Sequence, residues 1–169
     1  LAFLASVQAD TQANPNVQEA KGIIKEFFNT LKGELEGAIQ DGGPVNAIKV
    51  CKLRAPAIAQ DMSEPGGWDV GRTSLKLRNP ALNSPDPWEL KVLHEFEERK
   101  AAGEDVKTIA HAETVDTDGE KRFRFMKAIP TSEVCLVCHG LVIDPTLAAA
   151  IDEAYPEDKA RGFSVGDIR

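Results

Sequence analysis

An α+β fold, with helices flanking a small antiparallel sheet, is predicted by three observations on the 169-residue sequence. Apolar residues recur at three- and four-residue spacing over a long N-terminal stretch, the signature of amphipathic helix. Late in the chain, two short segments rich in aromatic and β-branched residues flank an Asp/Gly turn, the signature of a hairpin. The order helix, helix, loop, helix, hairpin segregates helices from strands, which argues against an alternating parallel sheet. A chain of this length buries about two-thirds of its unfolded surface as one unit, so residues 10–169 are read as a single domain.

The first helix spans Asn16 to Ile39, where Val17, Ala20, Ile24, Phe27, Phe28, Leu31, Leu35 and Ile39 mark one face. Gly42 and Gly43 end it, and Pro44 suits the start of the next helix. That second stripe runs through Ala47, Ile48, Cys51, Ala55 and Ile58, with a kink expected at Pro56 and Cys51 facing inward. From Ser63 to Pro87 the periodicity fades among prolines and glycines, which reads as loop with short extended pieces. Helical spacing resumes from Trp88 to Ala102 through Leu90, Val92, Leu93 and Phe96, closed by Gly103. Strands are expected at Thr108 to Val115 and Lys121 to Ile129, joined by Asp116-Thr117-Asp118-Gly119. A short helix from Pro145 to about Tyr155 and an irregular tail complete the chain.

Composition removes several function classes. The formal net charge of -7 repels phosphate backbones and anionic lipid surfaces, so nucleic acid is not an expected partner. Leu1 to Ala9 reads as the remnant of a signal-peptide apolar region with Val7-Gln8-Ala9 as a small-residue cleavage site, and this places the mature chain in the periplasm or another extracytoplasmic space. The same string also suits an N-terminal apolar segment opening a helix, and membrane association follows only if it is an uncleaved anchor.

Chemistry concentrates in Cys135-Leu136-Val137-Cys138-His139. This is the attachment motif for c-type haem: two thiols add to the porphyrin vinyl groups, and the adjacent imidazole reaches the iron as proximal ligand. One covalently bound haem c is therefore expected. A thioredoxin-like pair uses the same Cys-x-x-Cys but opens a helix in a βαβ context, which a preceding hairpin does not resemble. A structural zinc site needs two further ligands, and Cys51 is the only other thiol.

The sixth iron ligand is open on residue chemistry alone. Cys51 is an odd thiol in an exported chain, explained either by core packing or by ligation as thiolate. His94, His111, Met62 and Met126 are the alternatives. For the haem propionates, the cations Arg72, Lys76 and Arg78 of the Gly/Pro-rich loop are the natural partners.

Several separate strings carry a family resemblance: Ala47-Ile48-Lys49-Val50-Cys51 with Ala55-Pro56-Ala57-Ile58-Ala59, then Gly67-Trp68-Asp69-Val70-Gly71-Arg72-Thr73-Ser74-Leu75-Lys76-Leu77-Arg78-Asn79-Pro80. Pro85-Asp86-Pro87-Trp88-Glu89, Phe125-Met126-Lys127, the Cys-x-x-Cys-His and Tyr155-Pro156 through Gly166-Asp167-Ile168-Arg169 extend it. Together they resemble the c-type haem proteins with a PAS-like fold and His/Cys axial ligation. The resemblance, running roughly from Val17 to Arg169, implies His139 and Cys51 as the axial pair and a small sheet flanked by long N-terminal helices. One departure is that the sequence ends at Arg169, where similar proteins continue into a last short strand; a truncated end or a different sheet edge is expected.

Thiolate opposite imidazole stabilises Fe(III), and a weaker iron–sulfur bond after reduction offers a switch. The expected function is a non-enzymatic redox or small-ligand sensor acting through a signalling or redox partner, with a homodimer among the associations allowed. A periplasmic electron-transfer cytochrome is the alternative. A peroxidase-type enzyme ranks below both, since it needs an open distal site with an acid/base residue.

Overall fold

Helical propensity, caps and breaks set the N-terminal half in the computed structural model, which describes residues 14–169. The segment read as a signal remnant, residues 1–9, lies outside the described residues. Helix α1 (Pro15–Lys49) starts where the Asn14 side chain accepts from the Asn16 amide at 2.9 Å, satisfying one of the orphan donors of a first turn. Two helices separated at the glycine pair were expected. The pair breaks the rod locally, with Gly42 at φ -154° and Gly43 at φ 74°, yet helix resumes at once through Pro44. Val17, Ala20, Phe27 and Ala47 are buried, whereas Phe28 turns to solvent, off the stripe assigned to it.

Five residues of π-helix, Val50–Arg54, follow, and the Ala55 amide bonds to the Val50 carbonyl five residues back. Proline supplies the cause. Pro56 has no N–H to give the Lys52 carbonyl, so the α-helical ladder cannot continue through this turn and widens instead. The kink expected at Pro56 thus takes the form of a π-turn, and that turn carries Cys51. Helix α2 (Ala55–Ser63) continues with Ala55 and Ile58 buried.

The Pro/Gly-rich stretch is loop, broken only by the single turn α3 (Pro80–Asn83). Helix α4 (Pro87–Ala101) opens on a capping box in which Asp86 accepts from the Glu89 amide and Glu89 accepts from the Asp86 amide, both at 2.8 Å. It buries Val92, Leu93 and Phe96; Leu90 is on its outer face.

Strands β1 (Ala110–Thr117) and β2 (Glu120–Lys127) pair antiparallel from Ala110↔Lys127 to Thr117↔Glu120. The expected four-residue turn tightens to Asp118-Gly119, with φ of 56° and 85°, the mirror-image geometry that matches strand twist and favours glycine at its second position. Among the described residues these two strands are the whole sheet, so the α+β expectation holds with a minimal sheet. Helices α5 (Glu133–His139) and α6 (Pro145–Ala154) follow. The haem motif therefore lies on a short helix, which sequence periodicity did not assign.

Val92 and Phe96 of α4 meet Val106, Ile109, Ala128 and Ile168 in one core cluster. Leu147, Ile151 and Tyr155 form a second, against which Ile48 and Cys138 pack. Among the described residues no helix is long and apolar enough to cross a membrane.

Candidate haem-binding site

Beside the second cluster, with Tyr155 on its wall, opens a cleft of about 480 Å³, lined by the π-turn and α2, the loop at residues 69–79, α5 and the tail. That volume lies within the usual range for cofactor and ligand pockets. Its walls bring together Cys51, Arg72, Lys76, Arg78 and His139, drawn from three separate stretches of sequence.

Helix α5 builds the motif end. Residues at its two cysteine positions sit about one helical turn apart, so both thiols share a side, and His139 ends the helix. Gly140 follows because a Cβ there would stand 2.6 Å from the Leu136 carbonyl oxygen, too close for any other residue. Two main-chain bonds then stitch the motif to the tail: Phe163 N–H to the His139 carbonyl and Gly162 N–H to the Gly140 carbonyl, each 3.0 Å.

The His139 ring is oriented by its Nδ1–H, which donates to the Ala160 carbonyl at 2.8 Å. This leaves Nε2 as the bare acceptor, the tautomer a metal requires. Nε2 accepts from Arg169 Nη1 at 3.0 Å and faces Arg78 Nη1 at 3.4 Å. Burial, reinforced by the Arg78 and Arg169 guanidiniums, pushes His139 down to about 3, so the imidazole is neutral at any physiological pH.

The two motif thiols differ. Burial works to raise Cys135, but hydrogen bonding to Ser132, whose Oγ lies 3.3 Å from Sγ, together with the Arg169 charge holds the thiol below its ordinary value. Burial pushes Cys138 up. Tyr155, the sole tyrosine, is buried on the cleft wall and is pushed up to about 12 by burial and the neighbouring Cys51.

Among the charged residues of the lining, Arg72, Lys76, Arg78 and Arg169 outnumber the one carboxylate, Asp69. Arg72 packs its guanidinium over the Phe27 ring at 5.7 Å, and burial lowers its pKa. Lys76 Nζ sits 4.9 Å over the Phe163 ring and donates to the Arg161 carbonyl at 3.4 Å. Arg78 is otherwise engaged: its Nε and Nη2 bond Asp158, and Nη2 also reaches the Cys138 and Ala160 carbonyls. The buried Nε of Arg169 has no partner. A cleft so positive inside a chain of net charge -7 suits a dianionic ligand edge such as two propionates, and the bare Nε2 suits iron. The residues present fit haem.

The alternative axial residues stand elsewhere. None of Met62, Met126, His94 and His111 lines the cleft. Met126 packs on the α4 core, His94 is exposed, and His111 lies between Glu95 and Glu113 at 3.2 and 3.3 Å. Sequence reasoning missed Arg169, Asp158 and Tyr155. Arg169 and Tyr155 had been noticed only as ends of matching strings, because nothing local marks a residue that reaches the site through tertiary folding.

Comparisons with known proteins agree with this construction. A model of the Tll0287-like family matches residues 4–169. The crystal structure of the cyanobacterial haem protein Tll0287 superposes with a TM-score of 0.63 at 26% identity, covering 93% of this chain and 92% of that one. No curated protein sequence matches. With almost the whole length inside one family model, and the fold shared over most of both chains with a solved structure, the chain belongs to the Tll0287-like family.

Proposed function

We propose that this chain carries one haem c, attached through Cys135 and Cys138 and ligated by His139 and Cys51, and that it serves as a non-enzymatic redox sensor in an extracytoplasmic space. The observation that carries the reading is the cleft itself: among the candidate iron ligands, only His139 and Cys51 line it. Bound haem supplies an iron that cycles between Fe(III) and Fe(II), with thiolate favouring the ferric state.

The protein's own residues do the rest. His139 presents a neutral Nε2 and keeps its proton on Nδ1 against Ala160. Arg169 must withdraw from Nε2 for iron to bond there, which frees a guanidinium for a propionate alongside Arg72 and Lys76. Arg78, named as a propionate partner on sequence grounds, has one nitrogen left for that task, Nη1, and otherwise braces the motif. Cys51 rides on a π-turn, a local geometry that is frequent at functional sites. Loss of the sulfur ligand on reduction would let that turn and α1 beyond it rearrange, a structural output for a signalling partner or a second copy. A second reading, an electron carrier, is favoured by the exposed apolar residues Val134, Val137, Leu141 and Val142 around the motif.

Attachment is tested by acid–acetone extraction and denaturing electrophoresis: haem stays with the polypeptide, and quantitative loss to the organic phase overturns covalent attachment. Ligation is tested by Cys51→Ser, which nearly preserves side-chain volume. The oxidised protein is low-spin with thiolate charge-transfer bands; the variant loses them, has a higher potential and admits added imidazole. An unchanged spectrum and potential would return Cys51 to core packing. A sensor releases sulfur and binds carbon monoxide readily when reduced, whereas a carrier stays six-coordinate in both states.

A further inference from the structure

The last turn of α5 leaves carbonyl groups without helical donors, and the Cys138 carbonyl is met from the side by Arg78 Nη2 at 2.6 Å. The same guanidinium bonds Asp158 twice, through Nε at 3.1 Å and Nη2 at 3.2 Å, and reaches the Ala160 carbonyl at 3.2 Å. The Asp158 side chain is 1% exposed. Its remaining bonds are an N–H from Ala160 at 2.9 Å and Nε of Arg161 at 2.8 Å. One residue thus stands between a buried carboxylate and the candidate ligand ring: Asp158 holds the N–H of Ala160, and the Ala160 carbonyl holds the Nδ1–H of His139.

We propose that Asp158 is a positioning residue for the proximal histidine, setting the orientation and donor strength of His139 through the Arg78 fork and the Ala160 residue. Resting on the reading of His139 as iron ligand, it adds a residue and a role which that reading does not contain. Two physical effects act together. A carboxylate accepting from the Ala160 N–H fixes the main chain there, so the carbonyl cannot swing away from Nδ1. A carbonyl kept in line with Nδ1–H holds that bond short, and the shorter bond gives the imidazole more anionic character, which favours Fe(III). Arg78 spans both ends of the device; a lysine there keeps the charge but cannot bond the carboxylate and two carbonyls in one plane.

The experiment uses the haem-loaded protein. Asp158→Asn keeps the shape, removes the charge and turns one oxygen into a donor facing donors. The expected result is a potential raised by about one tenfold step in the Fe(III)/Fe(II) ratio, about 59 mV for one electron, with exchange of the His139 Nδ1–H faster by about tenfold in NMR. Asp152→Asn is the control. It deletes an exposed carboxylate that pairs with Arg161 but does not touch Ala160, and it leaves both readouts at wild-type values. Arg78→Lys is measured in parallel and shifts both readouts in the same direction, which keeps the test decisive if the Asp158 variant yields no holoprotein. Wild-type exchange and potential in both Asp158→Asn and Arg78→Lys, or an equal response in Asp152→Asn, overturns the proposal. Failure of the underlying reading is separate: it shows in the unmodified protein as an absent thioether or a His139→Ala variant with an unchanged spectrum.

Discussion

Around α4 and the hairpin, Val92, Phe96, Val106, Ile109, Ala128 and Ile168 close on one another, most of them essentially without exposed surface. Around α5 and α6 the arrangement is different. Leu147, Ile151 and Tyr155 form a smaller cluster whose neighbours include Cys138 of the haem motif, and the adjacent space is walled by Arg72, Lys76, Arg78, Arg169 and His139. The first region gains its stability from apolar burial, which needs no ligand. The second is organised by charge-assisted hydrogen bonds, among them the Arg78–Asp158 pair at 13% and 1% side-chain exposure, around a cavity with cationic walls. The two regions are thus held by different interactions, and each is expected to respond to a different kind of perturbation.

The largest effect belongs to the apolar end. Phe96 is among the largest fully buried side chains, so Phe96→Ala is expected to cost about 3–5 kcal/mol through lost transfer energy and a residual cavity. Urea unfolding measures it, and haem content per folded molecule stays the same. A loss below about 1 kcal/mol would show that the α4 cluster is not the stabilising core.

Acid probes the cleft end. His139 is held at about 3 in the folded chain, below its value in the unfolded chain, so the unfolded state binds a proton that the folded state refuses. The stability of the haem-free chain therefore falls as pH drops through about 6.5 toward 3, with a slope approaching about 1.4 kcal/mol per pH unit. The carboxylates act lower: Asp158, where burial opposes but Arg78 and Arg161 prevail, is held below the ordinary carboxylate range, and its contribution is lost only as pH falls beneath that range. Urea midpoints between pH 6.5 and 4.5 isolate the histidine, and His139→Asn flattens that slope. An equal slope in the variant would place the proton elsewhere. At the N-terminus of α4, Asp86→Ala removes the capping box and costs about 1 kcal/mol, read as a shift of the urea midpoint.

Legibility in the sequence followed the same divide. Where structure is local and periodic, the elements were readable: the α1 stripe, α4 with its close at Gly103, the Asp118-Gly119 turn and the start of α6 at Pro145 all stand close to their expected places. What was missed depends on competition between local and tertiary terms. A π-turn needs the missing Pro56 donor to be set against a helix continuing on both sides, and no periodicity reports that. Phe28 fits the helical stripe, yet it is half exposed while its neighbour Phe27 is buried. In the candidate site, Cys135, Cys138 and His139 stand out in the sequence because the Cys-x-x-Cys-His spacing is itself a motif. Arg169 and Asp158 were not, because a residue that arrives through the tail carries no spacing relation to the motif it serves.

The smallest expected effect lies within the motif itself and separates two cysteines that spacing alone treats as equals. Ser132 Oγ is 3.3 Å from Cys135 Sγ, and its hydrogen bonds hold that thiol below its ordinary value despite burial, whereas burial raises Cys138 without a comparable donor. Thiolate is the reacting form, so near neutral pH Cys135 carries the larger reactive fraction. In haem-free folded protein, iodoacetamide should label Cys135 several-fold faster than Cys138, read by peptide mass spectrometry over a time course. Ser132→Ala should narrow the ratio by slowing Cys135 alone. The same asymmetry bears on attachment: if thiol reactivity governs addition to the vinyl groups, Cys138→Ser retains more singly attached haem than Cys135→Ser does. Equal labelling of both thiols, or labelling led by Cys138, would show that exposure at the short helix outweighs the Ser132 contact.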